Sequence, residues 1–261
     1  MAYYEYRGYK CWYEEHGREN DPVIVIIPDE GQNAVGLFAF KEVLAPAAKD
    51  NYSTYRVILM DFLGTGKSDV PRISVGSTWQ DQALQLKELF YHGQYGPAVL
   101  IAVGKGGSCT AAEFLKEAPE LVDRIIADEQ YKEIFGELTE SLGKLTYIAD
   151  SAEKRSYGEW HGYAVMCMQL LEGWTEKCPY CGNMMYRGVI RGGRGLATWT
   201  LEKLSNFSMN ENTGDWFYLK EVKKPESFAE KIFAIPNESW DKRAFVCRKC
   251  GKMIADVKDL I

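Results

Sequence analysis

Two segments of the chain, Cys178-Pro-Tyr-Cys181-Gly and Cys247-Arg-Lys-Cys250-Gly, share the pattern Cys-x-x-Cys-Gly, and no other feature restricts the fold as strongly. In such a knuckle a tight turn lets two thiolates grip one ion from the same side, and two knuckles complete a tetrahedral four-thiolate site. The pattern predicts one structural zinc ion per chain, held by Cys178, Cys181, Cys247 and Cys250. With sulfur at all four positions, none stays open for catalysis. The alternative is redox-active dithiols, but a thioredoxin-type pair sits in a strand–helix setting and needs no twin. The knuckles are 65 residues apart, more than a ribbon loop, so a β-rich insertion must bring them together; 215–220 and 232–235 are candidate strands for it. Cys11, Cys109 and Cys167 have no such neighbours and read as small packing residues. Paired cysteines of this kind fit a reducing compartment better than disulfides do.

Charge divides the chain in the same place. Residues 1–170 carry 16 basic and 25 acidic side chains, net −9, whereas 171–261 carry 15 and 12, net +3. The overall −6 argues against a nucleic-acid coat or a polybasic membrane binder. The first ten residues, M-A-Y-Y-E-Y-R-G-Y-K, hold no apolar core of signal-peptide length. The longest apolar run, 23–28, is far short of the roughly 18–20 residues a membrane span needs. A cytosolic protein without a membrane partner is expected.

The first half alternates strand and helix patterns. Tyr4, Tyr6, Tyr9 and Trp12 alternate with polar residues around Gly8, which predicts two strands and a turn. Val23–Ile27 is a β-branched run ended by Pro28, the mark of a strand covered on both faces. Arg56–Met60 and 98–103 repeat it, and 124–127 does so more briefly. Between them, Trp79, Ala83, Leu86 and Phe90 share one helical face over 77–92, with Thr78 and Asp81 as a capping box and Gly93 as the stop. Another helix should follow Gly106–Gly107 and end before Pro119. This succession predicts an α/β fold with a mostly parallel sheet wrapped on both faces.

Ligands of such sheets bind where the strands end. After Arg56–Met60 comes D-F-L-G-T-G-K-S, Asp61 to Ser68. A phosphate loop would need a glycine where Asp61 stands and a helix where D-V-P-R follows, so that reading fails. The segment instead resembles the D-x-x-G-x-G-x-S turn of α/β-hydrolase-fold proteins. Around it lie Y-E-E-H-G, V-I-V-I-I-P and A-V-L-I-A-V-G-K-G-G-S, then a helix and strand through I-I-A-D-E, in that family's order over roughly residues 3–130. The resemblance implies a sheet of that type and a hydrolytic serine on a sharp strand-to-helix elbow.

Three departures from that pattern bear on activity. Matching the strand and the helix E-F-L puts Lys105 in the serine's place, and lysine cannot replace a histidine-activated hydroxyl. Ser108 comes one helical turn later and reads as a helix N-cap. In place of the family's H-G at the oxyanion hole stand Pro28 and Asp29, followed by Glu30, and carboxylates there repel a developing oxyanion. Downstream, His161 is the only histidine, and Asp128 lies just past the predicted strand 124–127; a rearranged set of Ser108, Asp128 and His161 is the alternative catalytic reading. Residues 131–172 read as two or three helices, either a cap or a cover for the sheet edge left by absent final strands.

The second half resembles a family of small uncharacterised bacterial proteins that open K-C-P-Y-C-G and close C-x-x-C-x-K-x-I, a match running from Lys177 to about Val257. It implies the metal site and lends no activity. Arg187, Arg191 and Arg194 form a local basic cluster, but four thiolates with one Zn²⁺ add about −2, which favours solvated loop arginines over a nucleic-acid interface. The expected organisation is a truncated α/β-hydrolase-like core (1–130), a helical cap or linker (131–172) and a small β-rich zinc-ribbon domain (173–261). The expected role is non-catalytic binding or scaffolding of a protein or small-molecule ligand, with oligomers through the exposed sheet edge. An esterase-like hydrolase using Ser108 and a zinc-ribbon nucleic-acid binder are the alternatives.

Overall fold

The computed structural model describes residues 2–46, 55–72, 78–138, 143–149, 156–193, 196–201, 215–218 and 240–255. The chain forms two compact units, Met1–Cys167 and Met168–Ile261, each with its own sheet. The first is a mostly parallel α/β sheet in the manner of a shortened α/β-hydrolase, and the second is a β-rich region carrying the clustered cysteines.

In the first unit, β1 (Ala2–Tyr6) and β2 (Tyr9–His16) form a hairpin in which Tyr6 pairs with Tyr9. Arg7 (φ +50) and Gly8 (φ +81) both take left-handed backbone, the two-residue turn whose twist suits a hairpin. The next strands are β3 (Val23–Ile27), β4 (Arg56–Met60), β5 (Ala98–Ala102), β6 (Val122–Asp128) and β7 (Leu145–Ile148). They line up as β1-β2-β4-β3-β5-β6-β7. From β4 to β7 the pairing is parallel, while β2 meets β4 antiparallel.

Right-handed crossovers then assign the helices to faces. The chain steps from β3 to β4 in one direction and from β4 back across to β5 and β6 in the other. Helix α1 (Phe38–Leu44) therefore lies on one face, and α2 (Trp79–Gly93) and α3 (Gly104–Glu117) on the opposite one. The core agrees: Val25, Ile27, Ile58, Met60, Leu100 and Ala102 pack in one cluster with Leu86, Phe90, Ala111 and Phe114. Their strand neighbours Ile24, Ile26, Val57, Leu59 and Ile101 are fully buried too and, by the period of a strand, point to the other face. After α4 (Lys132–Phe135) and β7 comes α5 (Tyr157–Leu171), whose Trp160 and Tyr163 rings stand 6.0 Å from that of Phe40 in α1.

Two expectations change here. Residues 131–172 are not helices alone, because L-T-Y-I pairs with β6 as the edge strand β7. Four residues, three of them half-buried, show no period to read; the strand exists because β6 offers it a parallel ladder. The second concerns the end of α2. Thr78 caps its start by accepting from the Asp81 amide at 3.1 Å, as the capping box required, but the left-handed residue at its end is Gln94 (φ +52) rather than Gly93. Gly93 is required for another reason. A Cβ there would lie 2.2 Å from the Tyr95 ring, which folds back to donate its hydroxyl to Glu15.

The D-F-L-G-T-G-K-S turn is an internal tie. The Asp61 carboxylate is 1% exposed and accepts from the amides of Ala34 (2.7 Å) and Lys67 (2.8 Å). Ser68 donates its hydroxyl to the Asp61 carbonyl at 2.6 Å and accepts from the Trp12 amide at 2.8 Å. The turn thus joins β2, β4 and the segment before α1. Residues 69–72 are not helical, in keeping with rejection of a phosphate loop.

In the second unit, β8 (Thr175–Lys177) and β9 (Met184–Gly193) flank the first knuckle, and β12 (Trp240–Cys247) and β13 (Met253–Ala255) flank the second. Strands β10 (Leu196–Leu201) and β11 (Asp215–Tyr218) complete the order β11-β10-β9-β12-β13, with β8 on β9. The candidate strand at 215–220 is present as β11; that at 232–235 lies outside the described residues. Strand β9 runs antiparallel to β12 with Met185 opposite Cys247, so the turn before β9 and the turn after β12 meet at the same end of the sheet. Within this unit Gln169 accepts from the Arg187 amide (2.8 Å) and donates to its carbonyl (2.7 Å).

Gly64 (φ +84) and Gly66 (φ +52) are both left-handed, but only at Gly66 would a Cβ strike the Asp61 carboxylate, at 2.1 Å. Gly64→Ala should therefore cost about 1–2 kcal/mol of backbone strain. Gly66→Ala should cost more than about 3 kcal/mol because it also displaces a buried carboxylate. Urea unfolding of the two variants checks the difference. A pH effect follows from His16, which packs against Glu14 near Lys41. Burial first, and then the Lys41 charge, hold its pKa below the usual value. The neutral form is the one the fold prefers, so His16 contributes stability that is present above its unfolded pKa and lost as pH falls below it. His16→Gln should flatten the stability profile between about pH 7 and pH 5.

Candidate functional site

Two places bring chemistry-bearing groups together. The first is the meeting of the knuckles. The Sγ atoms of Cys178, Cys181, Cys247 and Cys250 all lie within 4.8 Å of one another. Cys178 faces Cys250 at 3.6 Å and Cys181 faces Cys247 at 3.5 Å. These separations are far above a disulfide bond and close to the edge, about 3.8 Å, of a tetrahedron with metal–sulfur bonds of about 2.3 Å.

The knuckles are built alike. In the first, the Cys178 amide donates to the Asn183 carbonyl (2.7 Å) and the Gly182 amide to the Cys178 carbonyl (2.8 Å). In the second, Cys247 donates to Lys252 (2.8 Å) and Gly251 to Cys247 (2.9 Å). Gly182 (φ +73) and Gly251 (φ +67) supply the left-handed turn in each. The loop amides converge on sulfur: burial works against ionising Cys178, but the amides of Tyr180 and Cys181 and the neighbouring thiols bring it down to about 7. Burial dominates at Cys247 and pushes it up to about 12, against the Cys250 and Lys249 amides. Four thiols so close cannot all ionise unaided, and a divalent cation is what relieves their mutual repulsion. A four-sulfur donor set packed this closely fits a metal ion that prefers thiolate. The other cysteines behave as packing residues: Cys11 and Cys167 are fully buried and Cys109 is 7% exposed, with the Cys11 thiol pushed up to about 12 by burial.

The second place is the turn from β5 into α3, beside the end of β3. Its left-handed residue is Gly104 (φ +63), with Lys105 exposed immediately after it. Backbone geometry therefore sets the apex one residue before the position obtained by matching the helix. No side chain fits there, since a Cβ on Gly104 would lie 2.2 Å from an Asp29 carboxylate oxygen. That carboxylate spans the gap between strand end and helix: its Oδ1 accepts from the Gly106 amide at 2.7 Å and the Glu30 amide at 2.9 Å. One amide comes from the first turn of α3 and the other from the turn after β3, so a single side chain ties the two segments. Here the anion they hold is the protein's own. Sequence reasoning foresaw carboxylates after β3 but not one seated on the start of α3; the triple glycine Gly104, Gly106, Gly107 was the available signal. Gly107 leaves the same gap, since its Cβ would lie 2.7 Å from the Ile27 carbonyl.

Ser108 is not an N-cap. Because α3 starts at Gly104, Ser108 lies inside it, fully buried, and donates to the Gly104 carbonyl at 2.7 Å. Asp128 is the buried last residue of β6, and His161 is half-buried on α5. Helices α3 and α5 lie on opposite faces of the sheet, so the fold does not bring Ser108 and His161 together. Of the arginine cluster, Arg187 stacks on Trp174 at 4.6 Å; the Arg191 side chain and Arg194 lie outside what is described.

A family model described as a domain of unknown function (DUF6487) matches residues 178–259. No curated protein matches the chain. Among solved structures, an esterase from Exiguobacterium antarcticum is 22% identical with a TM-score of 0.41, covering 46% of this chain and 41% of that one. A haloalkane dehalogenase loop variant from Bradyrhizobium elkanii is 23% identical (TM-score 0.43, 49% and 39%). An α/β hydrolase from Novosphingobium aromaticivorans is 16% identical (TM-score 0.43, 49% and 42%). The chain spans less than half the length of each.

If the Asp29 carboxylate fills the place of a Cβ at Gly104, the two positions must couple. Gly104→Ala alone should destabilise the chain by more than about 3 kcal/mol. In an Asp29→Gly background it should cost only the left-handed strain, about 1–2 kcal/mol. A double-mutant cycle by urea unfolding reads the coupling, expected to be at least about 1 kcal/mol.

Proposed function

We propose that this is a non-catalytic binding or scaffolding protein. In this reading an α/β-hydrolase-type unit has exchanged its catalytic turn for an internal carboxylate clamp and is followed by a zinc-ribbon module. The observation that carries the reading is the Asp29 carboxylate on the Glu30 and Gly106 amides. Acyl transfer needs free amides where negative charge develops and a hydroxyl activated by a base. Here the apex is Gly104, which has no side chain, a carboxylate fills the space beside it, and Ser108 donates its hydroxyl to the Gly104 carbonyl inside the core. Lys105, the family's serine position by sequence matching, is an exposed first-turn residue.

Zinc is the ion the cysteine cluster fits, held by Cys178, Cys181, Cys247 and Cys250, one per chain. It would supply a closed structural cross-link between β8–β9 and β12–β13. Around it the chain's own knuckle amides orient the sulfurs, and its glycines make the turns. No helix among the described residues is long and apolar enough to cross a membrane, and a cytosolic setting agrees with thiolates kept available for metal.

The purified chain should not accelerate hydrolysis of a panel of p-nitrophenyl esters above buffer. Turnover abolished by Ser108→Ala would overturn the non-catalytic reading. Metal analysis of protein purified without chelator should find about one zinc per chain, with affinity falling as pH is lowered and protons compete for sulfur. Well under one zinc per chain would overturn the ribbon assignment independently of the first result.

A further inference from the structure

The four sulfurs differ in their access to solvent. Cys247 and Cys178 are 0% and 2% exposed, Cys250 is half-buried and Cys181 is exposed. The thiol facing Cys181, at 3.5 Å, belongs to Cys247 on the opposite knuckle. We propose that Cys181 is an oxidative modification site. A peroxide-class oxidant attacks the cluster there, Cys247 resolves the product, and the metal leaves as a disulfide forms between the knuckles. The inference rests on the zinc reading above.

Access and distance select the two residues. A metal-bound cysteine is already a thiolate, the form that reacts with peroxide, but it must be reached from solvent. Burial bars Cys178 and Cys247 from that first step; exposure admits Cys181. The Cys181 sulfur attacks one peroxide oxygen, so that an S–O bond forms, the O–O bond breaks, and hydroxide departs to become water. The Cys247 thiolate then attacks the Cys181 sulfenic acid, forming the S–S bond while the S–O bond breaks and a second water leaves. Two electrons pass from the sulfurs to the peroxide, with protons from solvent completing both waters. The sulfurs need approach by only about 1.5 Å to reach disulfide distance. The metal loses two of its four ligands and is released. The new bond joins the turn before β9 to the end of β12, the two places the metal had joined, so a reducible covalent link replaces the ionic one.

The test uses the full zinc-loaded chain treated with graded hydrogen peroxide. A chromogenic chelator follows zinc, and peptide mapping without reduction locates the first disulfide. One zinc should be released per chain, with Cys181–Cys247 the first bridge. Cys181→Ser should slow release at least about tenfold, while Cys11→Ser leaves it unchanged. Should Cys181→Ser fail to hold zinc, limiting N-ethylmaleimide on the unmodified sequence provides the second measurement, and Cys181 should be the first of the four alkylated. A first bridge within one knuckle, zinc retained under excess peroxide, or first alkylation at another of the four overturns the proposal. Absence of zinc before peroxide is added sinks the metal reading instead, and is distinguishable from all of these.

Discussion

The Asp29 carboxylate, held between the turn that ends β3 and the first turn of α3, sets much of the first unit's geometry. Its Oδ1 takes one amide from each side, at the positive end of a 14-residue helix, where an anion is favoured by the helix dipole as well as by hydrogen bonding. To seat it, α3 must press against β3, and three glycines make that approach sterically possible. Once they do, the helix can begin directly at the strand end, and everything after it shifts inward by a turn. Ser108 moves from the cap position into the core because of this, with no change in its own chemistry. What lies at the start of this helix is a carboxylate bound to two amides and the exposed Lys105.

The same device recurs at Asp61 and at the two knuckles. Asp61 accepts two amides, with Gly66 clearing space for its oxygens. Cys178 and Cys247 draw amides from knuckles that turn at Gly182 and Gly251. In each case a glycine supplies either a left-handed turn or a missing Cβ, and neighbouring N–H groups point at one acceptor. The outcomes differ with the anion. Hydrogen bonds satisfy one carboxylate, so Asp29 and Asp61 are complete as they stand. Four sulfurs within 4.8 Å cannot be satisfied by amides alone, because ionising one raises the cost of ionising the next.

What could be read from sequence follows from this distinction. The β-branched runs of β3, β4 and β5 and the amphipathic face of α2 were legible because burial acts on side chains at a fixed period. The knuckles were legible because cysteine, glycine and spacing together admit few other folds. Strand β7 was not, since its order comes from a ladder with β6 and its side chains are only half-buried. The apex at Gly104 and the position of Ser108 were misplaced by one residue and one turn, respectively, because matching a helix by its later residues cannot say where it begins. That start depends on a contact with Asp29, 75 residues earlier in the chain, which no local pattern records.

The two units therefore stand differently toward exchangeable chemistry. In the first, the groups at the strand ends are internally spent: Asp29 on two amides, Ser108 on a carbonyl, Asp61 on Ala34 and Lys67. Changing any of them alters folding before it alters reactivity. In the second, the sulfurs lack internal donors enough to settle their charge, and one of them, Cys181, is open to solvent. In the first unit the carboxylates of Asp29 and Asp61 are satisfied by the chain's own amides. Four thiols that cannot all ionise unaided would instead depend on a cation or on protons to settle their charge. Among the described residues, the sulfur cluster is the group of acidic side chains whose combined charge a cation would balance.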